Sequence, residues 1–386
     1  MSARSRAAGT APRAGTAPRS GTAAPGASSL PEREVARALL SGREATAALA
    51  RAAGQRDVAA LTRLLERKLL AGPTELAAFG RTGRYTLRYG GPFHVEQTLR
   101  YLARDPDNLA ERVTGATYHR FFPLGTRQVP LRLTLGADGC AVAVEGRLPP
   151  ADKLVLHERL VRFLGLDQPL AGFYRAVRGD AVMAPLVRGL RGVRIPQVPS
   201  LWEALCWAII GQQINLAFAY RLRNRFIALG HQAANGNGTE GSASGGAPLP
   251  FPGPEQVLRI PEPAWREAQF SRQKTAYLIG VAGAFLDGTL SEEALDAADT
   301  EAVEATLRAV RGLGPWSVAY GLLRALGRVD ALPVGDAGLR AALRHHYRLP
   351  APPDARGQEA LMEPFRPYRG LATYYFWKSL DQMRQE

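Results

Sequence analysis

The chain has 386 residues, enough for two or three domains, with a formal net charge of +14 at pH 7 and only two cysteines, Cys140 and Cys206. The basic balance indicates a polyanionic partner, whereas two cysteines exclude a disulfide framework, a four-cysteine zinc site and a four-cysteine iron–sulfur cluster. Because no run of about 18 apolar residues occurs, the sequence predicts no transmembrane helix, and we expect no membrane, metal or cofactor.

Residues 1–30 form a low-complexity stretch that contains four arginines and no acidic residue. Such a composition cannot bury enough apolar surface to fold, so we predict a disordered basic tail that contacts phosphate non-specifically. The same composition suits an organellar transit peptide, and this alternative stays open. Without such import, we expect the protein in the cytoplasm of a bacterium, associated with the nucleoid, or in a nucleus.

Two units are predicted between this tail and the second half of the chain. In residues 31–80 leucines recur at three- and four-residue steps, as in DVAALTRLLERKLL, which predicts a helical extension of unknown role. In residues 82–165 the period changes to two in RYTLRYG, ATYHRFFPLG, QVPLRLTLGADG and AVAVEGRL, which predicts an antiparallel sheet. The segment PFHVEQTLRYLARD adds a helix to this sheet domain.

Residues 166–386 are predicted to form an all-α domain. One segment interrupts the helical pattern: residues 231–254, HQAANGNGTEGSASGGAPLPFPGP, are rich in glycine and serine, which predicts a flexible insertion. The expected fold class is therefore α+β, with a sheet domain that precedes a helical domain.

A glycine hairpin stands in the helical part, in the segment VRGLGPWSVAYGLL. Gly312 and Gly314 flank one leucine, and Pro315 suits the first position of the next helix. Glycine permits positive φ, and N–H groups at a helix N-terminus bind anions, so Gly312, Gly314 and Ser317 are candidates to bind a backbone phosphate. A plain turn between two helices is the alternative for so short a pattern.

Asp336 follows this hairpin and precedes AGLRAALRHHY, which predicts a helix with Asp336 as its N-cap. The helix macrodipole favours a negative charge at this place. A carboxylate so placed suits a reaction in which a cation develops beside it. An N-cap without any further role is the alternative.

Several segments carry a family resemblance. Residues 310–336, VRGLGPWSVAYGLLRALGRVDALPVGD, resemble the helix-hairpin-helix plus Gly/Pro–Asp signature of DNA base-excision glycosylases. Residues 201–226, LWEALCWAIIGQQINLAFAYRLRNRF, are similar to the helix and wedge loop of the 3-methyladenine DNA glycosylase II family. SRQKTAYLIGVAGAFLDGTL and FRPYRGLATYYFW resemble further segments of that family, and the resemblance covers residues 82–386. It implies a TBP-like N-terminal sheet domain followed by an all-α helix-hairpin-helix glycosylase core.

The resemblance also implies roles for single residues. Asp336 takes the place of the catalytic aspartate, which stabilises an oxocarbenium-like sugar and helps water to attack C1′. Trp316 stands where strand-cutting members have a lysine nucleophile, which implies a monofunctional enzyme, since an indole cannot form a Schiff base. Gln212 and Gln213 fall in the wedge loop, with Gln213 as the plug that fills the gap left by a flipped base. Hydrogen bonding of the Gln212 amide to nearby loop backbone is the alternative.

Four aromatic residues are implied as walls of the base pocket: Trp316, Tyr320, Trp377 and Tyr101. N-alkylated purines carry a positive charge, and an electron-rich ring attracts such a base with roughly 0.5–2 kcal/mol per contact. Ordinary core packing is the alternative for aromatic residues at helical spacing.

The function implied is that of a monofunctional DNA glycosylase. It would flip alkylated bases of the 3-methyladenine and 7-methylguanine type out of duplex DNA and hydrolyse their N-glycosidic bond, leaving an abasic site. The expected partner is double-stranded DNA with damaged bases, bound by a monomer. Two alternatives stay open: a non-catalytic helix-hairpin-helix protein that binds DNA or recognises lesions, and a glycosylase for oxidised or deaminated bases.

Overall fold

The computed structural model describes residues 30–235 and 247–383. Apart from residue 30, the predicted basic tail lies outside the described residues, as does the centre of the predicted insertion. The first half of the described chain contains six helices and five strands: α1 (Leu30–Leu40), α2 (Ala47–Ala52), α3 (Val58–Leu69), α4 (Pro73–Thr82), β1 (Arg84–Arg88), α5 (Val95–Leu102), β2 (Glu111–Thr114), β3 (Thr117–Leu124), β4 (Arg127–Leu135), β5 (Gly139–Val144) and α6 (Pro150–Phe163).

The five strands form one antiparallel sheet in the order β1-β5-β4-β3-β2. Apolar residues alternate along the strands and bury one face, as Tyr118 and Phe122 do in β3. Strand β2 has no period-two pattern, because Val113 is its only apolar residue, and it is recognisable only from its pairing with β3.

The helical extension packs against this sheet and shares its hydrophobic core. In α4 the ring of Phe79 stacks on that of Tyr85 in β1, with centroids 4.5 Å apart. Buried His157 of α6 lies between the units: one ring nitrogen is 2.8 Å from the Tyr85 hydroxyl and the other 2.7 Å from the Leu69 carbonyl oxygen at the end of α3. The helical extension and the sheet therefore form one domain with a common hydrophobic core.

The rest of the described chain consists of helices and the loops that connect them. No helix among all the described residues is long and apolar enough to cross a membrane. This half contains a second hydrophobic core, in which α9 is buried on nearly all sides and packs against α16. The arrangement of a sheet domain followed by helices confirms the predicted α+β class. The elements are α7 (Leu170–Ala176), α8 (Met183–Gly189), α9 (Leu201–Ile210), α10 (Leu216–Asn235), α11 (Pro254–Leu258), α12 (Glu262–Glu267), α13 (Arg272–Leu286), α14 (Glu292–Ala297), α15 (Thr300–Ala309), α16 (Pro315–Arg324), α17 (Ala337–His346), α18 (Ala355–Met362), a 3-10 turn (Glu363–Phe365) and α19 (Arg369–Met383).

The insertion predicted over residues 231–254 is too wide at both ends. Residues 231–235 continue helix α10. At the other end, the Leu249 N–H donates to the Leu109 carbonyl over 2.7 Å, and the Trp202 indole donates to the Pro252 carbonyl over 2.8 Å. Glycine and serine dominate the composition and obscure the apolar residues of 249–251, which pack against the core.

Buried charges join the sheet domain to the helical domain. Arg120 of β3 donates to Glu111 of β2 over 2.9 Å and also to Glu203 of α9, which in turn accepts from Arg223 of α10 over 2.9 Å. Each of these four side chains is at most 5% exposed. Burial raises the pKa of Glu111, but the surrounding guanidinium groups, above all that of Arg104, outweigh it and lower that pKa to about 2. Since breaking one buried pair leaves a charge unpaired, this network fixes how the two domains meet.

Candidate active site

The glycine hairpin lies between α15 and α16 and approaches a tyrosine ring closely. Gly312 has a φ of +99°, and a Cβ at this position would lie 2.3 Å from the ring of Tyr277 in α13. Only glycine fits here without displacing its neighbour. Gly314 is the N-cap of α16, and open space surrounds the place where its Cβ would be. Since the first N–H groups of α16 have no partner within the helix, the hairpin can bind an anion such as a backbone phosphate.

The side chain of Ser317, the third residue predicted to bind phosphate, faces away from such a site. Ser317 is 2% exposed, and its Oγ lies 3.4 Å from Nε2 of Gln212. Its position on the inner face of α16 turns the side chain towards α9 and the loop that follows. Only the backbone N–H of Ser317 remains a candidate for contact with phosphate.

The wedge loop, residues 211–215, follows α9 and is attached to two neighbours. The Gln212 amide donates to the Gly312 carbonyl over 2.9 Å, and Nζ of Lys274 donates to the Ile210 carbonyl over 2.6 Å. This contact contradicts a plug role for Gln212, whose amide holds the loop to the hairpin instead. Gln213 is exposed and has a φ of +56°, so it stays the candidate plug.

Asp336 is half-buried and accepts three hydrogen bonds. Its Oδ1 accepts from the Leu339 N–H over 2.8 Å, which makes Asp336 the N-cap of α17, and from the Trp377 indole over 2.8 Å. Its Oδ2 accepts from the Trp316 indole over 3.1 Å. The predicted N-cap and an aromatic environment therefore occur together at this carboxylate.

Aromatic rings extend from Asp336 in two directions. Along α16, Trp316 stacks on Tyr320 with centroids 5.3 Å apart and an interplanar angle of 24°. Along α19, Trp377 meets Tyr374 edge to face at 6.3 Å, and Tyr374 meets Tyr101 of α5 in the same way at 6.3 Å. The four predicted pocket residues thus lie around one site. Tyr374 belongs with them and was detectable, because it precedes Trp377 by three residues and so shares its helix face.

Two arginines that the sequence patterns did not single out lie at the far side of this site. The guanidinium of Arg104 is 4.2 Å from the centroid of the Tyr101 ring, and that of Arg324 is 5.0 Å from it. Arg324 also donates to the Tyr101 hydroxyl and to the Pro196 carbonyl. The site therefore has a carboxylate at one end and two guanidinium groups at the other.

Neither cysteine is placed for chemistry at this site. Both are buried, and burial raises the pKa of the Cys140 thiol to about 12. Within the described residues, no three His, Cys, Asp or Glu side chains come together in a group that could hold a metal ion.

Comparison with protein families gives two matches that follow one another along the chain. The family model of the HhH-GPD superfamily base excision DNA repair protein matches residues 206–367, and that of the AlkA N-terminal domain matches residues 84–200. Asp336 and the hairpin lie within the first match, and Tyr101 lies within the second.

Individual relatives agree with these matches. A DNA-3-methyladenine glycosylase of Bacillus subtilis is 30% identical over 227 residues, which are 58% of this chain and 73% of the relative. The YfjP protein of the same organism is 32% identical over 304 residues, which are 75% of this chain and 96% of that protein. Among solved structures, a 3-methyladenine DNA-glycosylase from Archaeoglobus fulgidus has a similar fold, with a TM-score of 0.63 and 22% identity over 76% of this chain and 97% of its own.

Proposed function

Because this chain belongs to the family of DNA-3-methyladenine glycosylases, we propose that it removes alkylated bases of the 3-methyladenine and 7-methylguanine type from duplex DNA by hydrolysis. It is a DNA N-glycosylase of base-excision repair. One observation supports Asp336 as the reacting group: its carboxylate, at the N-terminus of α17, accepts hydrogen bonds from the indoles of Trp316 and Trp377.

The hydrogen bonds of Asp336 leave a lone pair free on one of its two carboxylate oxygens. Each carboxylate oxygen has two lone pairs. Those of Oδ1 are used by Trp377 and Leu339, whereas Oδ2 accepts from Trp316 alone. Oδ2 is therefore the oxygen that faces the deoxyribose in this proposal.

The reaction separates charge in a way that suits this carboxylate. The C1′–N bond breaks, its electron pair passes to the base, and positive charge develops on the sugar. The negative charge of Asp336, fixed in place before the reaction, stabilises that cation without further reorganisation. Water then adds to C1′, and an abasic site remains.

An alkylated base suits the aromatic walls of the site. Bases alkylated at N3 or N7 are cationic within the nucleoside, and they leave as neutral molecules without a strong acid. The stacked rings of Trp316 and Tyr320 offer a π face to such a base, with roughly 0.5–2 kcal/mol per contact.

The lysines of the chain support hydrolysis without strand cleavage. Trp316 occupies the place after the hairpin where a lyase nucleophile would stand. Three of the four lysines make hydrogen bonds elsewhere: Lys153 to the Gly80 carbonyl, Lys274 to the Ile210 carbonyl and Lys378 to Asp381. Lys68 lies exposed on α3 in the helical extension.

The approach to DNA follows from the hairpin and the wedge loop. The protein binds DNA, and in this proposal a monomer places a phosphate on the N–H groups at Gly312, Gly314 and the first turn of α16. Gln213 fills the space that the flipped base leaves, since unstacking costs a few kcal/mol and a plug reduces that cost.

The deciding experiment incubates the purified protein with methylated duplex DNA and identifies released bases by mass spectrometry. We expect free 3-methyladenine or 7-methylguanine and a strand that stays intact until it is treated with alkali. Binding without any released base would support the non-catalytic alternative. Strand breaks before alkali, or a covalent adduct trapped by borohydride, would contradict the monofunctional mechanism.

A further inference from the structure

The antiparallel sheet has an outer face that the described part of the chain leaves open to solvent. Its inner face packs on the core that it shares with the helical extension, so every second residue of a strand points outwards. These outward residues are exposed or half-buried on all five strands. The outer face is therefore a surface without a partner among the described residues.

One row of residues across this face is basic. The strand register places one residue of each strand in this row, in the order Arg84, Ala143, Arg132, His119 and Arg112. At the usual strand spacing of about 4.8 Å, the row is roughly 19 Å long. Four of its five positions carry a basic side chain, and we call it the basic row.

The neighbouring row on the same face is small and uncharged. It contains, again one from each strand, Thr86, Ala141, Thr134, Thr117 and Thr114. The hydroxyl oxygens of Thr117 and Thr134 lie 3.0 Å apart and share a hydrogen bond. Hydroxyl groups can donate to phosphate oxygens, and such short side chains leave the neighbouring arginines free to reach a ligand that lies on the face.

The charge of the basic row is largely unpaired. Among the described residues, Arg132 is the one arginine of the row that forms an ion pair, in which its Nε lies 3.9 Å from Oε1 of exposed Glu145. Burial lowers the pKa of His119, and the charges of Arg132 and Arg112 lower it further, against the opposite effect of Glu145. Since like charges on adjacent strands destabilise a sheet, this arrangement opposes folding, and a bound polyanion would relieve it.

The segments outside the described residues do not suit this surface. Residues 1–29 contain four arginines and no acidic residue, so their charge has the same sign as that of the basic row. Residues 236–246 contain a single acidic residue, Glu240. A ligand that neutralises the row therefore has to come from another molecule.

The chemistry of the face favours duplex DNA as that molecule. Single strands are held mainly by stacking of bases on aromatic rings. Half-buried Phe121 is the one Phe, Tyr or Trp among the outward residues of the described strands. Contacts are therefore restricted to the phosphate backbone, and duplex DNA has the denser backbone charge, with one negative charge per about 1.7 Å of its axis.

We propose that the outer sheet face is a second DNA-binding surface, on which Arg84, Arg132 and Arg112 contact phosphates of duplex DNA whatever its sequence or damage. Within the described residues, no hydrogen bond, ion pair or ring contact joins these arginines to the pocket around Asp336. The surface therefore goes beyond the proposed glycosylase function. It holds undamaged duplex independently of the site that processes a lesion.

The first test asks whether the protein takes up two duplexes. A short duplex with an abasic site occupies the pocket, and binding of a labelled undamaged duplex is then measured by sedimentation at several salt concentrations. Arg84→Gln/Arg112→Gln removes the two unpaired arginines of the row. Arg63→Gln/Arg67→Gln is the matched control, because it removes two exposed arginines from α3. We expect weaker binding of the second duplex by the first variant, with a salt slope lower by about 2, and wild-type binding by the control.

The second test locates the bound DNA directly. Cys140 and Cys206 are buried, so an exposed cysteine can be labelled selectively with a photocrosslinker. Thr134→Cys places the label in the middle of the outer face, and Ala59→Cys is the control, exposed on α3 at the helix-covered side of the sheet. We expect undamaged duplex to crosslink to the label of Thr134→Cys and not to that of Ala59→Cys.

Either test can overturn the inference. Equal weakening of the two arginine variants would do so, as would crosslinking no stronger from Thr134→Cys than from Ala59→Cys. Stronger crosslinking to single-stranded DNA than to duplex would contradict the choice of ligand. Crosslinking of duplex from Thr134→Cys by a protein that releases no base from methylated DNA would support this surface and contradict the proposed glycosylase function.

Discussion

The indole nitrogen of Trp377 donates to Oδ1 of Asp336 over 2.8 Å. This bond links α19, the last helix of the described chain, to the N-cap residue of α17. Trp316 donates to the other oxygen from a third helix. Three helices that meet only through the tertiary fold therefore determine the orientation of one carboxylate.

Trp377→Phe removes the indole donor and keeps an aromatic ring. Because hydrogen bonds to charged groups contribute roughly 1.5–3 kcal/mol, we expect single-turnover base release to slow by about tenfold or more. Trp202→Phe is the matched control, since its indole donates to the Pro252 carbonyl in the helical core. Equal rates for the two variants would show that the Trp377 bond does not position Asp336.

Asp336→Asn replaces the charged oxygen and retains the N-cap geometry. We expect excision of 7-methylguanine to fall by at least about a hundredfold, because the electrostatic stabilisation of the sugar cation is lost. Binding to a duplex with an abasic site, measured by fluorescence anisotropy, should persist. Asp354→Asn is the control: Asp354 caps α18 by accepting from the Gly357 N–H over 2.8 Å. If Asp336→Asn excises bases at the wild-type rate, Asp336 is not the catalytic group.

Gly312→Ala should damage the hairpin through its contact with Tyr277. The added Cβ would meet the ring at 2.3 Å, so either the ring or the hairpin has to move. We expect a lower melting temperature and weaker binding of duplex DNA, with a smaller dependence of Kd on salt. Gly125→Ala separates the two causes, since Gly125 also has a positive φ of +56° but has open space where its Cβ would be. A similar loss of DNA binding in both variants would argue against a phosphate site at the hairpin.

His157 should make the stability of the sheet domain depend on pH. Burial lowers the pKa of this imidazole to about 4, from an ordinary value of 6.5. Above pH 6.5 the folded and unfolded states are both neutral at this residue; between pH 6.5 and 4 only the unfolded state gains the proton. Folding free energy is therefore lost as the pH falls, by about 3 kcal/mol over this window.

The measurement for His157 is urea unfolding followed by circular dichroism at pH 7 and pH 4.5. His157→Gln is the control, because an amide can still bond to Tyr85 and Leu69 but does not titrate. The wild type should lose more stability than the variant between the two pH values. Parallel losses in both proteins would assign the pH dependence to other groups.

The sequence allowed the prediction of those site residues that stand at fixed distances from a recognisable segment. Asp336 and Trp316 follow from the hairpin, and Trp377 follows from the C-terminal segment. The partner of the Gln212 amide could not be predicted, because it belongs to a hairpin a hundred residues away in the chain. Arg324 could not be predicted, since its meeting with Tyr101 depends on the contact between two domains. Arg104 was detectable, because it follows Tyr101 by only three residues.

Contacts between residues that are distant in the chain also explain which parts of the fold could not be predicted. Strand β2 has too little apolar pattern to be seen without its partner strand, and its buried Glu111 reads as a surface residue until Arg120 is placed beside it. The leucine spacing in residues 31–80 correctly predicted helices, but this periodicity does not reveal that their apolar faces pack against the sheet.

The ion network between the domains has a consequence for how accurately bases are told apart. Tyr101 belongs to the sheet domain and Asp336 to the helical domain. The distance between the two ends of the pocket therefore depends on how the two domains are held together. A substitution at Glu203 or Arg120, which are buried and make no contact with Asp336, would loosen that spacing and weaken the discrimination between bases.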